Sequence, residues 1–276
     1  MRRTNFNSES INKDIGLNGE MDPPLSEKTP VEPRPRLKML IEFDGSDFAG
    51  WQYQPGLRTV QGELEAALTK ILGERTVVIG AGRTDSGVHA RGMTAHFEAR
   101  GRGFSSDRLR LAVNGEVGPD LLVRSIEPAP PRFHARFHAR SRRYSYRVID
   151  QPYPLWIRYA WFHRQPWDNR IIQQTLPMLL GAHSFRSFSR ARPGETDYRC
   201  EVLKAEWTVV EGGAEFEIEA DRFFHQMVRG LVRALIDVGR GHISPEQFRE
   251  LLDYPTKNSA VRYAPPQGLI LEEVIY

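Results

Sequence analysis

Short apolar runs of strand length alternate with amphipathic helical patterns from residue 37 to the end of the chain. Alternating apolar residues predict strands, and apolar residues three and four apart predict helices. Strands interrupted by helices and joined by hairpins predict an α+β fold with mostly antiparallel sheets. The predicted strands are 37–43, 76–82, 93–99, 121–127, 143–149, 200–211, 214–220 and 269–276, and the predicted helices lie at 60–71, 107–113, 168–180 and 223–239, with a last helix beginning at Ser244.

A turn near Gln151 separates two halves that each contain strands and helices. A chain of 276 residues is long enough for one large domain or two ordinary ones. We therefore predict an N-terminal domain at 37–150 and a C-terminal domain at 151–276. No residue-level repeat relates the two halves.

Residues 1–36 differ in composition from everything that follows. Phe6 is their only aromatic residue, five prolines lie between positions 23 and 35, and six acids balance six bases. Such a segment cannot bury a core, so we predict a disordered tail. Acidic residues also interrupt any targeting pattern, so we expect a cytoplasmic protein.

Arginine supplies 32 of the 38 basic residues, although the formal net charge is only +3. The planar guanidinium suits phosphate contacts and base stacking, but biased codon usage explains the same skew. The single cysteine, Cys200, excludes an intramolecular disulfide and a cysteine-rich metal site. No run of about 18 apolar residues is present, so no membrane-spanning helix is expected.

The segment GAGRTDSGVHARG at 80–92 places glycines, an arginine, a carboxylate and a histidine in one turn between predicted strands. Loops held by rigid strands often carry reactive groups. A phosphate cradle is disfavoured because the Walker lysine and a following helix are missing. A hydrolase using Ser86, His89 and Asp85 is disfavoured because three neighbours on one turn do not easily form the relay. A lone catalytic Asp85 beside Arg83 and a turn carboxylate bonded to its own backbone both stay open.

Residues 132–147, RFHARFHARSRRYSYR, carry six arginines and two histidines among aromatic residues, without an acid. Cations that neutralise phosphates and rings that stack on unpaired bases favour a nucleic-acid partner. A solvated charged face is the alternative, although such faces usually include acids. His134 and His138 have the spacing of metal ligands on a helix, but no third ligand of a known pattern accompanies them, so zinc is not expected.

The predicted helix 223–239 has a buried stripe that leaves Arg229 and Arg233 outside it. Arg229 nevertheless lies in the apolar sequence HQMVRGLV, where a cation is costly unless it meets an anion. We therefore expect a carboxylate partner, with a snorkelling arginine at the helix edge as the alternative. The predicted stripe consists of Phe224, Met227, Val228, Leu231, Leu235 and Val238.

Five ordered motifs resemble those of the tRNA pseudouridine synthase A (TruA-like) family, from about residue 37 to residue 276. They are FDGSDFAGWQYQ (43–54) with TVQGELE (59–65), GAGRTDSGVHARG (80–92) followed by AHFE, RRYSYRV (142–148), GAHSFRSF (181–188) and FFHQMVRGLVRALIDVGRG (223–241).

This resemblance implies a cofactor-independent isomerase that converts uridine to pseudouridine in the anticodon arm, at tRNA positions 38 to 40. It also implies a homodimer whose subunits have two related domains flanking a basic cleft, without a metal. Two alternatives stay open: a module that binds structured RNA without catalysis, and a pseudouridine synthase that acts on another RNA.

The resemblance also implies roles for individual residues. Asp85 would be the essential aspartate and Arg229 its ion-pair partner, Arg83 would help to displace the target base, and Tyr144 would stack on the flipped uracil. A carboxylate in a mostly dry pocket stays charged more easily beside a cation, which agrees with the pair. We add four candidates for substrate binding: His89, Arg136, Arg142 and Arg143.

The chain departs from the family pattern at two places. Arg142-Arg143 stands where a lysine is common, and His225-Gln226 precedes Met227. We expect neither departure to touch the four residues with implied roles.

Overall fold

A computed structural model of the chain describes residues 35–99, 105–256 and 262–276. The strands are β1 (Arg36–Phe43), β2 (Ile79–Gly80), β3 (His89–Glu98), β4 (Leu121–Pro128), β5 (Ser141–Ile149), β6 (Trp161–Phe162), β7 (Gly181–Ser184), β8 (Arg199–Val210), β9 (Gly213–Ala220) and β10 (Leu269–Ile275). The helices are α1 (Val60–Leu72), α2 (Ser106–Glu116), α3 (Asn169–Thr175), α4 (Met227–Gly239) and α5 (Pro245–Asp253). The disorder predicted for residues 1–36 falls almost entirely outside the described residues, and Arg36 begins β1.

The described strands form one sheet in the order β4-β1-β3-β10-β5-β9-β8-β7, with β2 beside β3 and β6 beside β5. Its pairs are antiparallel except β10 with β3 and β5 with β6. The predicted α+β fold with mostly antiparallel pairing is confirmed.

The last strand lies in the middle of this sheet. On one side Leu271 of β10 pairs in parallel with Ala90 of β3, and on the other side it pairs with Tyr144 of β5. Strands from both predicted domains therefore belong to one hydrogen-bonded sheet. The division near residue 150 stays a prediction.

Two hydrophobic clusters form the core. One gathers residues from β1, β3, β4, α1 and α2, and the other gathers residues from β5, β8, β9, α3, α4 and α5. β10 contributes to both, because Leu269 belongs to the second cluster whereas Leu271 and Val274 belong to the first. The central strand thus links the two cores, next to the candidate site.

Several predicted helix starts are confirmed because they depend on neighbouring residues. The Thr59 side chain accepts a hydrogen bond from the backbone of Gly62 and caps α1. Ser244 and Gln247 form the reciprocal capping box of α5. Pro245 occupies the first turn of that helix.

Three predicted elements are shorter in the structure. The helix predicted at 168–180 is α-helical only over Asn169–Thr175, and a 3-10 helix that contains Pro177 follows at Leu176–Leu179. The strand predicted at 76–82 pairs only at Ile79–Gly80, since the Val78 amide donates to the Glu65 carboxylate of α1 instead of to a strand. The helix predicted from residue 223 begins at Met227, because Gln226 has a left-handed φ of 61° that breaks the helical repeat. Phe224 therefore precedes α4 and packs against Tyr198.

Candidate active site

The loop between β2 and β3 presents Asp85, and the first motif of the chain supports this loop from behind. The Trp51 amide donates to the Thr84 carbonyl at 3.1 Å, and the Ser86 hydroxyl donates to the Phe48 carbonyl at 3.1 Å. Gly50 makes the close approach possible: its φ is +95°, and a Cβ there would lie 2.7 Å from the Thr84 carbonyl oxygen. Backbone contacts thus determine the position of the Asp85 carboxylate.

Helix α4 brings Arg229 to this carboxylate. Nη1 of Arg229 donates to Oδ2 of Asp85 at 3.0 Å, and Nε donates to the Ala264 carbonyl at 2.7 Å. The arginine side chain is only 13% exposed and the aspartate side chain 25%. The carboxylate partner expected for Arg229 is therefore present, and Asp85 meets it across the site.

A close backbone approach positions α4. A Cβ on Gly230 would lie 2.1 Å from the Phe188 carbonyl oxygen, so only glycine lets the helix pack this near to residues 186–188. Those residues belong to the GAHSFRSF motif. This motif therefore positions Arg229 through the neighbouring Gly230.

His225 lies on the other side of the same carboxylate. Its Nε2 is 3.5 Å from Oδ1 of Asp85, and its Nδ1 is buried without a hydrogen-bond partner among the described residues. Burial lowers the pKa of His225, Asp85 opposes this effect, and the nearby Arg190, Arg192 and Arg229 lower the pKa further. A neutral ring with its proton on Nε2, facing Asp85, fits this environment best.

The expectation that His225 stays away from the four key residues was therefore wrong. The segment 223–226 precedes α4 and lines the cavity, and the His225 side chain reaches the Asp85 carboxylate. Within the predicted helix 223–239 the four-residue spacing places His225 on the face of Arg229, although the observed helix begins only at Met227.

Tyr144 on β5 lies beside Asp85 in a desolvated position. Its ring meets Phe223 edge to face, with centroids 5.0 Å apart. The pKa of Tyr144 is raised to about 12, chiefly by burial, with Arg142 lowering it and the Asp85 charge raising it to smaller extents. The phenol is therefore neutral near pH 7 and offers an apolar face with a polar edge.

Asp85, Tyr144 and His225 line one cavity of about 350 Å³, and Arg229 contacts Asp85 from outside this lining. Its volume falls at the lower end of the range of roughly 300–1,000 Å³ for small-ligand pockets. In the part of the chain that the structure describes, Asp85 is the only acid in its lining. The arginines in the lining are Arg83, Arg136, Arg142, Arg192 and Arg222.

The predicted arginines differ in whether their side chains already have hydrogen-bond or ion-pair partners in the protein. Arg83 is exposed on the Asp85 loop and makes no hydrogen bond or ion pair within the described ranges. Arg142 donates to the carbonyls of Arg136 and Asp221, each at 2.7 Å, and burial lowers its pKa. Arg143 pairs with Glu273 at 2.6 Å and is absent from the cavity lining. Arg83 and Arg136 are thus the predicted cations most available to an anion.

His89 lies outside this cavity. Its Nδ1 accepts from the Gly45 amide at 3.0 Å, and its Nε2 lies 3.1 Å from the Gln267 carbonyl, which fits an Nε2–H tautomer. Burial lowers its pKa despite the nearby Asp44. His89 lines a second cavity with Asp44 and Tyr159, so its placement does not support substrate binding beside Asp85. The Ser86–His89 relay of a hydrolase is not formed either, because both side chains bond elsewhere.

Sequence analysis missed three residues that the fold brings to the cavity: Arg192, Arg222 and His225. Arg192 lies in the connection between β7 and β8 and belongs to none of the five motifs. Among the described residues, no cluster of three or more His, Cys, Asp or Glu side chains is arranged to hold a metal ion. The same residues include no helix long and apolar enough to span a membrane.

A family model described as tRNA pseudouridine synthase matches residues 39–138 and 176–276. The chain is 38% identical over 241 residues to the tRNA pseudouridine synthase A of Chlorobium luteolum, covering 87% of this chain and 95% of the relative. It is 37% identical over 248 residues to the protein of the same name from Moorella thermoacetica, covering 88% and 100%.

One solved structure, a Cbf5-Nop10-Gar1 complex, matches 72% of this chain and 54% of its own chain at 12% identity. Its TM-score of 0.33 is too low to support an inference about the fold.

Proposed function

The chain belongs to the tRNA pseudouridine synthase family, and from this premise we propose that it isomerises uridine in the anticodon arm of tRNA, at positions 38 to 40. Family membership makes the protein an isomerase that forms pseudouridine in tRNA. One observation carries the assignment of the site: the Asp85 carboxylate is held by Arg229 in a cavity whose other charged lining residues are arginines.

The reaction requires an anionic group of the protein at the target nucleotide. It breaks the bond between C1′ and N1, turns the uracil and forms a bond between C1′ and C5; C5 loses its proton and N1 gains one, so the overall composition is unchanged. We assign the anionic role to Asp85, either as the nucleophile at C1′ or as the base that removes the C2′ proton. Both routes need an anionic oxygen, and Nη1 of Arg229 lies 3.0 Å from Oδ2 of Asp85, where it balances the negative charge.

Access to the base requires the nucleotide to leave its stack, at a cost of a few kcal/mol. Arg83 is exposed at the cavity and has no competing partner within the described ranges, so it is free to occupy the space that the base vacates. Tyr144 offers the flipped uracil a ring inside the cavity. We assign these two residues to base displacement and base stacking.

Three further arginines in the cavity lining carry charge opposite to that of the RNA phosphates. Arg136, Arg192 and Arg222 surround the cavity and supply positive charge for the phosphates that flank the target. We further propose a cofactor-independent homodimer in the cytoplasm, and sedimentation of the purified protein across a concentration series tests the dimer.

Pseudouridine mapping tests the function. Unmodified tRNA transcripts are incubated with wild-type protein or Asp85→Asn, without any added cofactor, and mapped by carbodiimide treatment and primer extension. Stops at positions 38 to 40 with the wild type alone support the reaction, the target and the catalytic residue together. Stops elsewhere support a different target, and tRNA binding without stops by either protein supports a non-catalytic RNA-binding module.

A further inference from the structure

A short turn next to the cavity displays an aromatic ring to solvent. Phe137 is 74% exposed, yet its ring is stacked on the imidazole of His134 with centroids 4.2 Å apart and planes 28° apart. Scattered exposed apolar side chains are ordinary on protein surfaces. This ring differs because a second ring supports it from below and leaves most of its surface open.

Three histidines build the turn as hydrogen-bond acceptors. Nδ1 of His134 accepts from the amides of Arg136 and Phe137, each at 3.2 Å. Nδ1 of His96 accepts from the Ala135 amide at 3.1 Å, and Nδ1 of His138 accepts from the His134 amide at 3.3 Å. These bonds hold the backbone of the turn, and the stack on His134 supports the Phe137 ring, which reduces the entropy cost of binding.

The turn is also joined to the wall of the Asp85 cavity. Arg136 lines that cavity, and its guanidinium lies 5.8 Å from the centroid of the Phe137 ring. The Arg136 carbonyl accepts from Nη2 of Arg142 at 2.7 Å, and Arg142 lines the same cavity. Phe137 therefore directly follows, in the sequence, a residue that lines the proposed base site. The guanidinium of that residue, Arg136, lies over the Phe137 ring.

We propose that Phe137 is a stacking platform for an unpaired base that neighbours the target uridine, while Arg136 contacts the adjacent phosphate. This inference rests on the proposed function, because it takes the RNA bound at Asp85 as the ligand. Bases in RNA loops are unpaired and stack on exposed aromatic side chains, and cations next to the ring neutralise the backbone. The His134 ring stacks on Phe137, and the side chain stays 74% exposed to an incoming base.

Binding measurements with matched variants test the platform. Affinity for a tRNA transcript is measured by filter binding for wild type, Phe137→Ala, Phe137→Trp and Tyr254→Ala. Tyr254 is the control because its ring is 76% exposed and lies outside the cavity lining. Loss of one stacking contact weakens binding by roughly 5- to 150-fold in Phe137→Ala. Phe137→Trp and Tyr254→Ala stay within about threefold of wild type.

Salt dependence separates stacking from charge. Phe137→Ala keeps the wild-type slope of log Kd against log salt, whereas Arg136→Ala lowers its magnitude by about one. A Phe137→Ala protein that binds as tightly as Tyr254→Ala overturns the platform, and so does a flattened slope in that variant.

Substrate changes identify the stacked base. Transcripts that each lack one base beside the target uridine are compared for binding to the two proteins. At one of these positions, removal of the base weakens binding to wild type and leaves binding to Phe137→Ala unchanged. Equal weakening of both proteins at every position contradicts the proposal. Turnover by wild type on intact tRNA is measured in parallel, so failure of the proposed function is recognised by lost turnover and failure of the platform by unchanged binding.

Discussion

Nη1 of Arg229 and Oδ2 of Asp85 lie 3.0 Å apart although 144 residues separate them in the sequence. This contact joins helix α4 to the loop between β2 and β3. The carboxylate is one-quarter exposed and lines the cavity, whereas the arginine is 13% exposed and lies outside the lining. The chemistry proposed for the protein depends on this relationship.

Asp85→Asn is expected to lower pseudouridine formation by roughly 10³-fold or more, because the amide supplies no anion for either route. The free energy of unfolding changes by less than about 2 kcal/mol, since the amide oxygen still accepts from Arg229. Single-turnover assays and urea unfolding measure the two quantities. Wild-type turnover in this variant would remove Asp85 from the mechanism.

Arg229→Ala is expected to lose activity and about 1–3 kcal/mol of stability, because it leaves the Asp85 carboxylate without its cation. The Ala264 carbonyl loses its donor in the same variant. The double variant Asp85→Asn with Arg229→Ala tests the coupling, since its stability loss should be smaller than the sum of the two single losses. Additive losses would show that the two side chains act independently.

His225→Phe is expected to lower kcat by roughly tenfold with little change in KM, because it removes a neutral donor beside the catalytic carboxylate. Since burial lowers the pKa of His225, protonation of this ring affects wild-type rates only below its ordinary range near pH 6.5. His225→Gln retains an N–H donor and should recover part of kcat. Equal kcat values for wild type and His225→Phe between pH 7 and 8 would contradict the role.

His96 makes the stability of the fold depend on pH. Burial lowers its pKa to about 4 in the native state, whereas the ordinary value in the unfolded chain is about 6.5. Between these two pH values the unfolded chain binds a proton at His96 and the native state does not. This group's contribution is complete above pH 6.5 and is lost as the pH falls to 4, a change of at most about 3 kcal/mol.

The His96→Asn variant isolates that contribution. The asparagine oxygen can replace Nδ1 as the acceptor for the Ala135 amide but does not titrate. Urea unfolding of both proteins at pH 7.0 and pH 4.5 should show a smaller pH dependence for the variant. Parallel stability curves would exclude His96 as the titrating group.

Arg83→Ala is expected to reduce the salt dependence of tRNA binding by about one slope unit, because Arg83 is free to neutralise a phosphate or replace a base. Arg143→Ala is the matched control, since Arg143 already pairs with Glu273. Arg142→Ala should instead lower stability, because its guanidinium holds backbone carbonyls. Equal slopes for Arg83→Ala and Arg143→Ala would contradict the assignment.

Features that depend on residues close together in the chain were predictable from the sequence. The Thr59 cap, the Ser244–Gln247 capping box and most of the apolar stripe of α4 all follow from contacts within one or two helical turns. The Asp85 loop was predictable as a candidate because glycines and chemically active side chains cluster within 80–92.

The tertiary structure alone decided which of these candidates meet. β10 lies between β3 and β5, and the segment before α4 places His225 beside Asp85, whereas His89 lines a different cavity. The tertiary structure also determines which arginines already have partners. Arg142 donates to backbone carbonyls, whereas Arg83 makes no hydrogen bond or ion pair among the described residues. Local hydrogen bonds and periodicity act over a few residues, but the partner of a charged side chain depends on which distant strands and helices pack together.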